Sequence, residues 1–318
     1  MQTPFSLLAE RVTLGRRALL WGTTAALIAS ILIVLGGGIV RVTGSGLGCP
    51  TWPTCTAESL VPIPELGIHG VIEFGNRLVT GLLIAAVGWA IIAARLQKPR
   101  DRTLTRLAWS QFWLVVANAI AGGITVLAEL NPWVVALHFV MAIGLLTTAT
   151  LTWHRARDTG EDRPVAPRRA RVLAWALTLT TLALVVVGTM VSGTGPHAGD
   201  SDEIPRMELD WTTITLVHAA LAGTALVIAI GLLFVLGGWA DGVVARRRVL
   251  VFLIVFVAQG AIGGVQSLIG LPELLVALHL LGAALVWVGA LRVLLDTDTR
   301  LFRVRSTASS EPTVSATL

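Results

Sequence analysis

Gly264-Val265-Gln266-Ser267-Leu268-Ile269-Gly270-Leu271-Pro272-Glu273-Leu274-Leu275-Val276-Ala277-Leu278-His279 repeats a pattern the chain already carries, without a gap, at Gly123–His138. The two stretches share Gly123/Gly264, Leu127/Leu268, Leu130/Leu271, Val135/Val276, Ala136/Ala277, Leu137/Leu278 and His138/His279, at a constant shift of 141. Each copy has a proline near the start of the apolar run that carries its histidine, Pro132 and Pro272. Packing in lipid does not call for an ionisable imidazole, so a repeat that keeps one inside an apolar segment points to a histidine in use.

The rest of the chain fits a membrane setting. Hydrophobic residues make up 54% and charged residues 14%, and the mean hydropathy is +0.78, too apolar for a soluble globular protein. Apolar runs are expected at about 18–39, 66–95, 105–127, 132–153, 171–192, 207–236, 248–269 and 272–294; roughly 20 residues suffice for a helix to cross the hydrocarbon. None alternates with period two, and an open sheet edge cannot be satisfied in lipid. The expected fold is therefore an all-α integral membrane protein of eight transmembrane helices, arranged as two pseudo-symmetric four-helix bundles. Of the 24 Lys and Arg residues, all but Arg41, Arg77 and Arg206 fall on one set of alternate loops. The positive-inside rule places that set, with both termini, in the cytoplasm, in a multi-pass protein of the cell membrane. The pI near 10.7 then reports topology, and no nucleic-acid partner follows from it. The first run has no small-residue cleavage site after it and reads as a transmembrane helix.

The linker from His154 to Arg171 divides the chain into residues 1–158, 159–306 and a Ser/Thr-rich tail, 307–318, that reads as disordered. The second unit repeats the first with changes. Ser192-Gly193-Thr194-Gly195 echoes Thr43-Gly44-Ser45-Gly46, and Val217–Gly223 falls on Gly75–Gly81, which makes His218 the counterpart of Asn76. Glu73 has Thr215 as its counterpart and so no acidic equivalent. His69, Glu73 and Asn76, at i, i+4 and i+7, share a helical face. Glu73 and Arg77 can form an i, i+4 pair near the outer interface, yet a carboxylate about two turns inside a spanning run is costly enough to suggest a function. Cys49 and Cys55, the only cysteines, lie in an outer loop where a structural disulfide is the simplest reading and a redox-active pair the alternative. His154 and His197 read as solvated interfacial and loop residues.

His218 and His279 lie at similar depth, each about seven residues inside the outer end of its helix. Two imidazoles facing across a four-helix bundle are a common way to hold a haem iron from both sides; zinc would require further ligands. The plainer alternative is a pair of histidines each satisfied by a helix carbonyl.

Three strings sharpen this. Arg41-Val42-Thr43-Gly44-Ser45-Gly46-Leu47-Gly48-Cys49-Pro50-Thr51-Trp52-Pro53, Ile72-Glu73-Phe74-Gly75-Asn76-Arg77-Leu78 and Ser192-Gly193-Thr194-Gly195-Pro196-His197-Ala198-Gly199-Asp200, with the Leu-His pairs at 137–138 and 278–279, resemble the haem A synthase family over about residues 18–294. The resemblance implies oxidation of the C8 methyl of haem O to the formyl of haem A for cytochrome c oxidase biogenesis. Haem O synthase and the oxidase assembly machinery would be partners. It also implies a resident haem b ligated by His218 and His279, a substrate haem site with His138, Glu73 as the acid needed for turnover, and Cys49 and Cys55 as the loop pair. Methyl-to-formyl oxidation removes four electrons, so an electron acceptor is required. The family pattern has histidine where this chain has Asn76, which leaves His138 as the expected sole protein ligand of the first site, with His69 and Arg77 near the substrate haem. The rival classes are a bis-histidine membrane cytochrome b that only carries electrons and a haem-binding transport or assembly protein without chemistry.

Overall fold

A computed structural model describes residues 11–159, 164–197, 199–200 and 204–302; the tail at 307–318 lies outside them. Among the described residues, eight helices are long and apolar enough to cross a membrane. They are α1 (Arg16–Val42), α2 (Gly67–Arg95), α3 (Arg102–Leu127), α4 (Pro132–Arg157), α5 (Arg168–Thr194), α6 (Trp211–Gly237), α7 (Val243–Leu268) and α8 (Glu273–Thr297). The expected all-α architecture holds. At the arginine-rich end several helices outrun the apolar stretches: α4 continues to Arg157 and α7 begins at Val243. Such turns leave the hydrocarbon while still forming their backbone hydrogen bonds, and long basic side chains tolerate that level.

Local chemistry sets the helix starts. Asp101 accepts from the Leu104 amide at 3.1 Å, Asn131 from Trp133 at 3.1 Å and Asp210 from Thr213 at 2.7 Å, capping α3, α4 and α6. Pro132 is the first residue of α4, where a missing N–H costs nothing. Pro272 instead stands one place earlier, as the N-cap of α8, because the shift of 141 sets Pro132 against Glu273. Pro64 opens a 3₁₀ turn, Pro64–Leu66, and the α-helical part of α2 starts at Gly67.

The helices pair most extensively as sequential hairpins, α1 with α2, α3 with α4, α5 with α6 and α7 with α8. The two halves meet along α1, α4, α5 and α8. Their seam is filled by Val34, Ile143, Leu146, Val185, Ala284, Trp287 and Leu291, and the Trp287 indole donates to Thr147 at 3.0 Å. At the other end from the arginines, the Arg41 guanidinium donates to the Ser192 carbonyl at 2.7 Å. There the loops after α1 and α5 also pair, through a bridge of Ser45 with Asp200 and a Gly46 N–H to Gly199 carbonyl bond of 2.7 Å.

Packing is uneven along the helices. In the second half the core of Leu177, Ala225, Ala229, Leu232, Leu236, Val249, Phe252, Phe256, Ala290 and Val293 sits towards the arginine-rich end. Towards the opposite end, α6 buries nothing before Ala225, α7 nothing after Phe256, and α8 only Ala277 before Ala284. The first half behaves alike: α2 buries no residue between Glu73 and Leu83, and α4 none between Pro132 and Ile143.

Candidate functional site

Those loosely packed levels are where the repeated polar residues lie. Asn76, His138, His218 and His279 fall on α2, α4, α6 and α8, and each side chain rests on a glycine of the preceding helix. A Cβ added at Gly122 of α3 would come within 3.3 Å of His138 Cε1, at Gly188 of α5 within 3.1 Å of His218 Cε1, and at Gly263 of α7 within 2.8 Å of His279 Cε1; at Gly36 of α1 it would collide with Asn76 Oδ1. The absence of a Cβ lets each ring or amide lie flat against its hairpin partner, so its position is set by backbone.

The second half brings its two histidines together: their rings are near enough to interact electrostatically. His218 lies beside the Leu184 carbonyl and His279 beside the Gln259 backbone, each four residues before the glycine beneath it. Their Nδ1 atoms are buried yet form no full hydrogen bond, as is true of His138 Nδ1 and Asn76 Oδ1. Gln259 donates from Nε2 to the His279 carbonyl at 2.6 Å, tying α7 to α8 at the histidine's own residue. Above this pair a cavity of about 480 Å³ is lined by Arg206, Trp211, Ser267 and Leu271, among others. His197, expected in solvent, instead bonds through Nε2 to the Leu271 carbonyl at 2.8 Å.

In the first half the outer loop forms a roof. Cys49 and Cys55 are disulfide-bonded. Glu73, buried, accepts from the Cys49 amide at 2.5 Å and pairs with Arg77 at 2.5 Å, so both carboxylate oxygens are engaged. Arg77 also donates to the carbonyls of Thr51 and Thr54, at 3.1 and 3.0 Å. The i, i+4 pair read from the sequence is thus present, and it clamps the cysteine loop to α2. Trp52 packs over Gly123 of α3, which spans the roof from α2 to α3. His69 bonds through Nδ1 to Ser45 Oγ at 3.0 Å; it belongs to the roof, about 10 Å along the helix from Asn76.

The sequence pattern of the cytochrome oxidase assembly protein family, COX15-CtaA, matches residues 19–69 and 65–291, which takes in both hairpin sets and every residue of the site. The chain belongs to this family. Among its relatives, "Heme A synthase" of Staphylococcus epidermidis RP62A is 25% identical over 277 residues, 83% of this chain and 90% of that protein. The proteins of the same name from Staphylococcus haemolyticus and Lysinibacillus sphaericus are 27% and 29% identical, over 65% and 56% of this chain and 71% and 59% of their own lengths.

Sequence reasoning singled out Asn76, His138, His218, His279, Glu73, Arg77 and the cysteines as candidates. It missed the four glycines beneath the site side chains, Gln259, and the pairing of the two loops. A visible signal for the glycines existed: a glycine inside a helical run costs about 1 kcal/mol relative to alanine, so it usually answers to a close approach.

Proposed function

We propose that this chain is a haem A synthase, an oxidoreductase that converts the C8 methyl of haem O into the formyl of haem A during cytochrome oxidase assembly. Family membership supports the reaction class. The observation that carries the assignment of sites is the repeated arrangement of a polar side chain on a glycine, twice in each half, at the level where neither half is filled by its own side chains.

The second half fits a resident haem b: two imidazoles at one level with buried, incompletely bonded nitrogens, and glycine surfaces in place of side chains around them. His218 and His279 would be its axial ligands, and Arg206 at the cavity rim suits a propionate. Such a group, when bound, supplies one-electron transfer between the substrate and an external acceptor. Gln259 holds His279 by its carbonyl, and Gly188 and Gly263 fix the ring planes.

The first half would take the substrate. His138 provides one nitrogen ligand, and Asn76, a poor iron ligand, stands where the second half has His218, so haem O would be held on one side and could leave after oxidation. Glu73 is a fixed anion in the roof; it can favour positive charge developing at the substrate's edge while it holds the Cys49–Cys55 loop in place. Arg77 keeps that carboxylate oriented, and Trp52 limits water entry between α2 and α3. Residues 1–158 are thus read as the substrate half and 159–306 as the cofactor half, with the arginine-rich end in the cytoplasm and the site towards the outer face.

Haem extraction from membranes of cells with and without the chain tests the reaction. Loss of haem A with accumulation of haem O upon deletion is expected. An unchanged haem profile would leave an electron-carrying cytochrome b as the better reading.

A further inference from the structure

Asn76 holds the place of His218, seated on a glycine of the preceding helix as His218 is, but an amide has a different outline from an imidazole. In His218 the Cε1–Nδ1 edge lies against Gly188, with Cε1 at 3.1 Å and Nδ1 at 3.5 Å from an added Cβ, and Nδ1 is enclosed without a full hydrogen bond. In Asn76 it is Oδ1 that stands against Gly36, enclosed and without a donor among the described residues. Oδ1 thus takes the place of Nδ1, and Nδ2 takes that of Cδ2, the ring atom bonded to Nε2. The amide stops one bond short of Nε2 and turns a donor N–H towards the spot that atom would fill.

The polar neighbours of Asn76 along α2 are engaged elsewhere. Glu73 is held by the Cys49 amide and Arg77, Arg77 by the Thr51 and Thr54 carbonyls, and His69 by Ser45; Thr80 donates to the Asn76 carbonyl at 3.4 Å. Asn76 is therefore the group on α2 that meets whatever stands where His218 would place Nε2. We propose that the first pocket binds a small uncharged hydrogen-bond acceptor of one or two heavy atoms, between the Asn76 amide and the iron of a haem held by His138. The inference rests on the assignment of the first half to the substrate haem and adds to it an open coordination position with a donor beside it. One neutral hydrogen bond orients such a molecule without retaining it. The second half offers no equivalent, because the His218 imidazole fills the same position.

The full-length protein in detergent is supplied with haemin until both pockets are filled, reduced, and titrated with carbon monoxide as the probe of an open position, with infrared spectroscopy reading the C–O stretch. One carbon monoxide should bind per chain, and Asn76→His should abolish that binding while both haems are retained. Asn76→Leu keeps a side chain of similar size but has no donor. It should leave the position open, shift the C–O stretch and weaken carbon monoxide binding about two- to tenfold, the range of one neutral hydrogen bond. The spectrum of the six-coordinate second-half haem is the check on folding, since a misfolded variant would lose it. Two haems with no carbon monoxide bound overturn the inference and leave the assignment of the halves standing. Carbon monoxide binding that survives Asn76→His overturns it too, as does an Asn76→Leu protein with unchanged stretch and affinity. A chain that takes up a single haem refutes the substrate-half assignment itself, and the inference with it.

Discussion

The glycines under the histidines permit a test that needs no turnover. In Gly263→Ala the new methyl would stand 2.8 Å from His279 Cε1 and 3.3 Å from its Nδ1, whereas carbon atoms in good contact are about 3.5–4.0 Å apart. The ring or the α7–α8 packing must yield by roughly 1 Å, and overpacking of this kind costs about 1–3 kcal/mol. If the strain falls on the ligand, retention of haem b drops by about 5- to 150-fold. Gly264, the next residue, has nothing within 4 Å of an added Cβ. Gly264→Ala should therefore be neutral, or stabilising by up to about 1 kcal/mol through helix propensity. Gly188→Ala, at 3.1 Å from His218 Cε1, should lie between the two. The assay is the ratio of haem to protein after purification, together with the optical spectrum of a low-spin, six-coordinate iron. Equal haem content and identical spectra in Gly263→Ala and Gly264→Ala would refute the idea that His279 is a ligand seated on Gly263.

The first pocket offers a gain-of-ligand test: Asn76→His should raise haem occupancy there and make that haem more low-spin, while His138→Ala should leave the proposed resident haem b in place and abolish haem A formation. Glu73→Gln removes the charge that Arg77 and the Cys49 amide share; haem A formation should collapse with the haem b spectrum unchanged, and near-normal production would show the clamp to be dispensable. Cys49 and Cys55 should resist alkylation in fresh, unreduced membranes, and labelling of either thiol counts against a stable disulfide. Thr213 holds the Asp210 carboxyl below its usual range, so the cap on α6 contributes above the unfolded value near 3.9 and is lost as pH falls through the lower folded one; the protection factors of amides in the first turn of α6, taken relative to the intrinsic exchange rate at each pH, should fall only in that acid window, and Asp210→Asn should remove the dependence.

Much of the architecture was legible because lipid imposes simple rules. Charges confined to blocks between apolar runs mark eight spans, and the repeat of Leu137-His138 as Leu278-His279 marks two halves. What was not legible depends on contacts between segments whose spacing differs in the two halves. Gly122 and Gly263 stand one repeat apart, at the shift of 141 that relates their histidines. Gly36 and Gly188 do not keep that shift, because the loop that follows Val42, with the cysteine pair, is longer than the one after Thr194. The role of Glu73 was half visible: its i, i+4 partner Arg77 is local, whereas its bond to the Cys49 amide comes from a loop 24 residues away and has no sequence signature.

Among the four side chains seated on glycines, Asn76 is the one at which the two halves diverge, and the glycine beneath it shows that the divergence at this position is in the side chain. Gly36 remains beneath it as Gly188 remains beneath His218, and a Cβ at either glycine would press on the group above. The helix-to-helix approach that seats an imidazole has therefore been kept in the first half. A histidine at position 76 could adopt the placement of His218 with little backbone movement, which is why Asn76→His can be expected to fold. The same retained approach gives the haem content of Asn76→His a definite meaning. A rise in low-spin haem would mean that the first pocket differs from the second by one ligand, in keeping with a site that must release its product. No rise, in a variant that keeps its second-half haem, would mean that the difference lies in the roof of Trp52, Glu73 and Arg77.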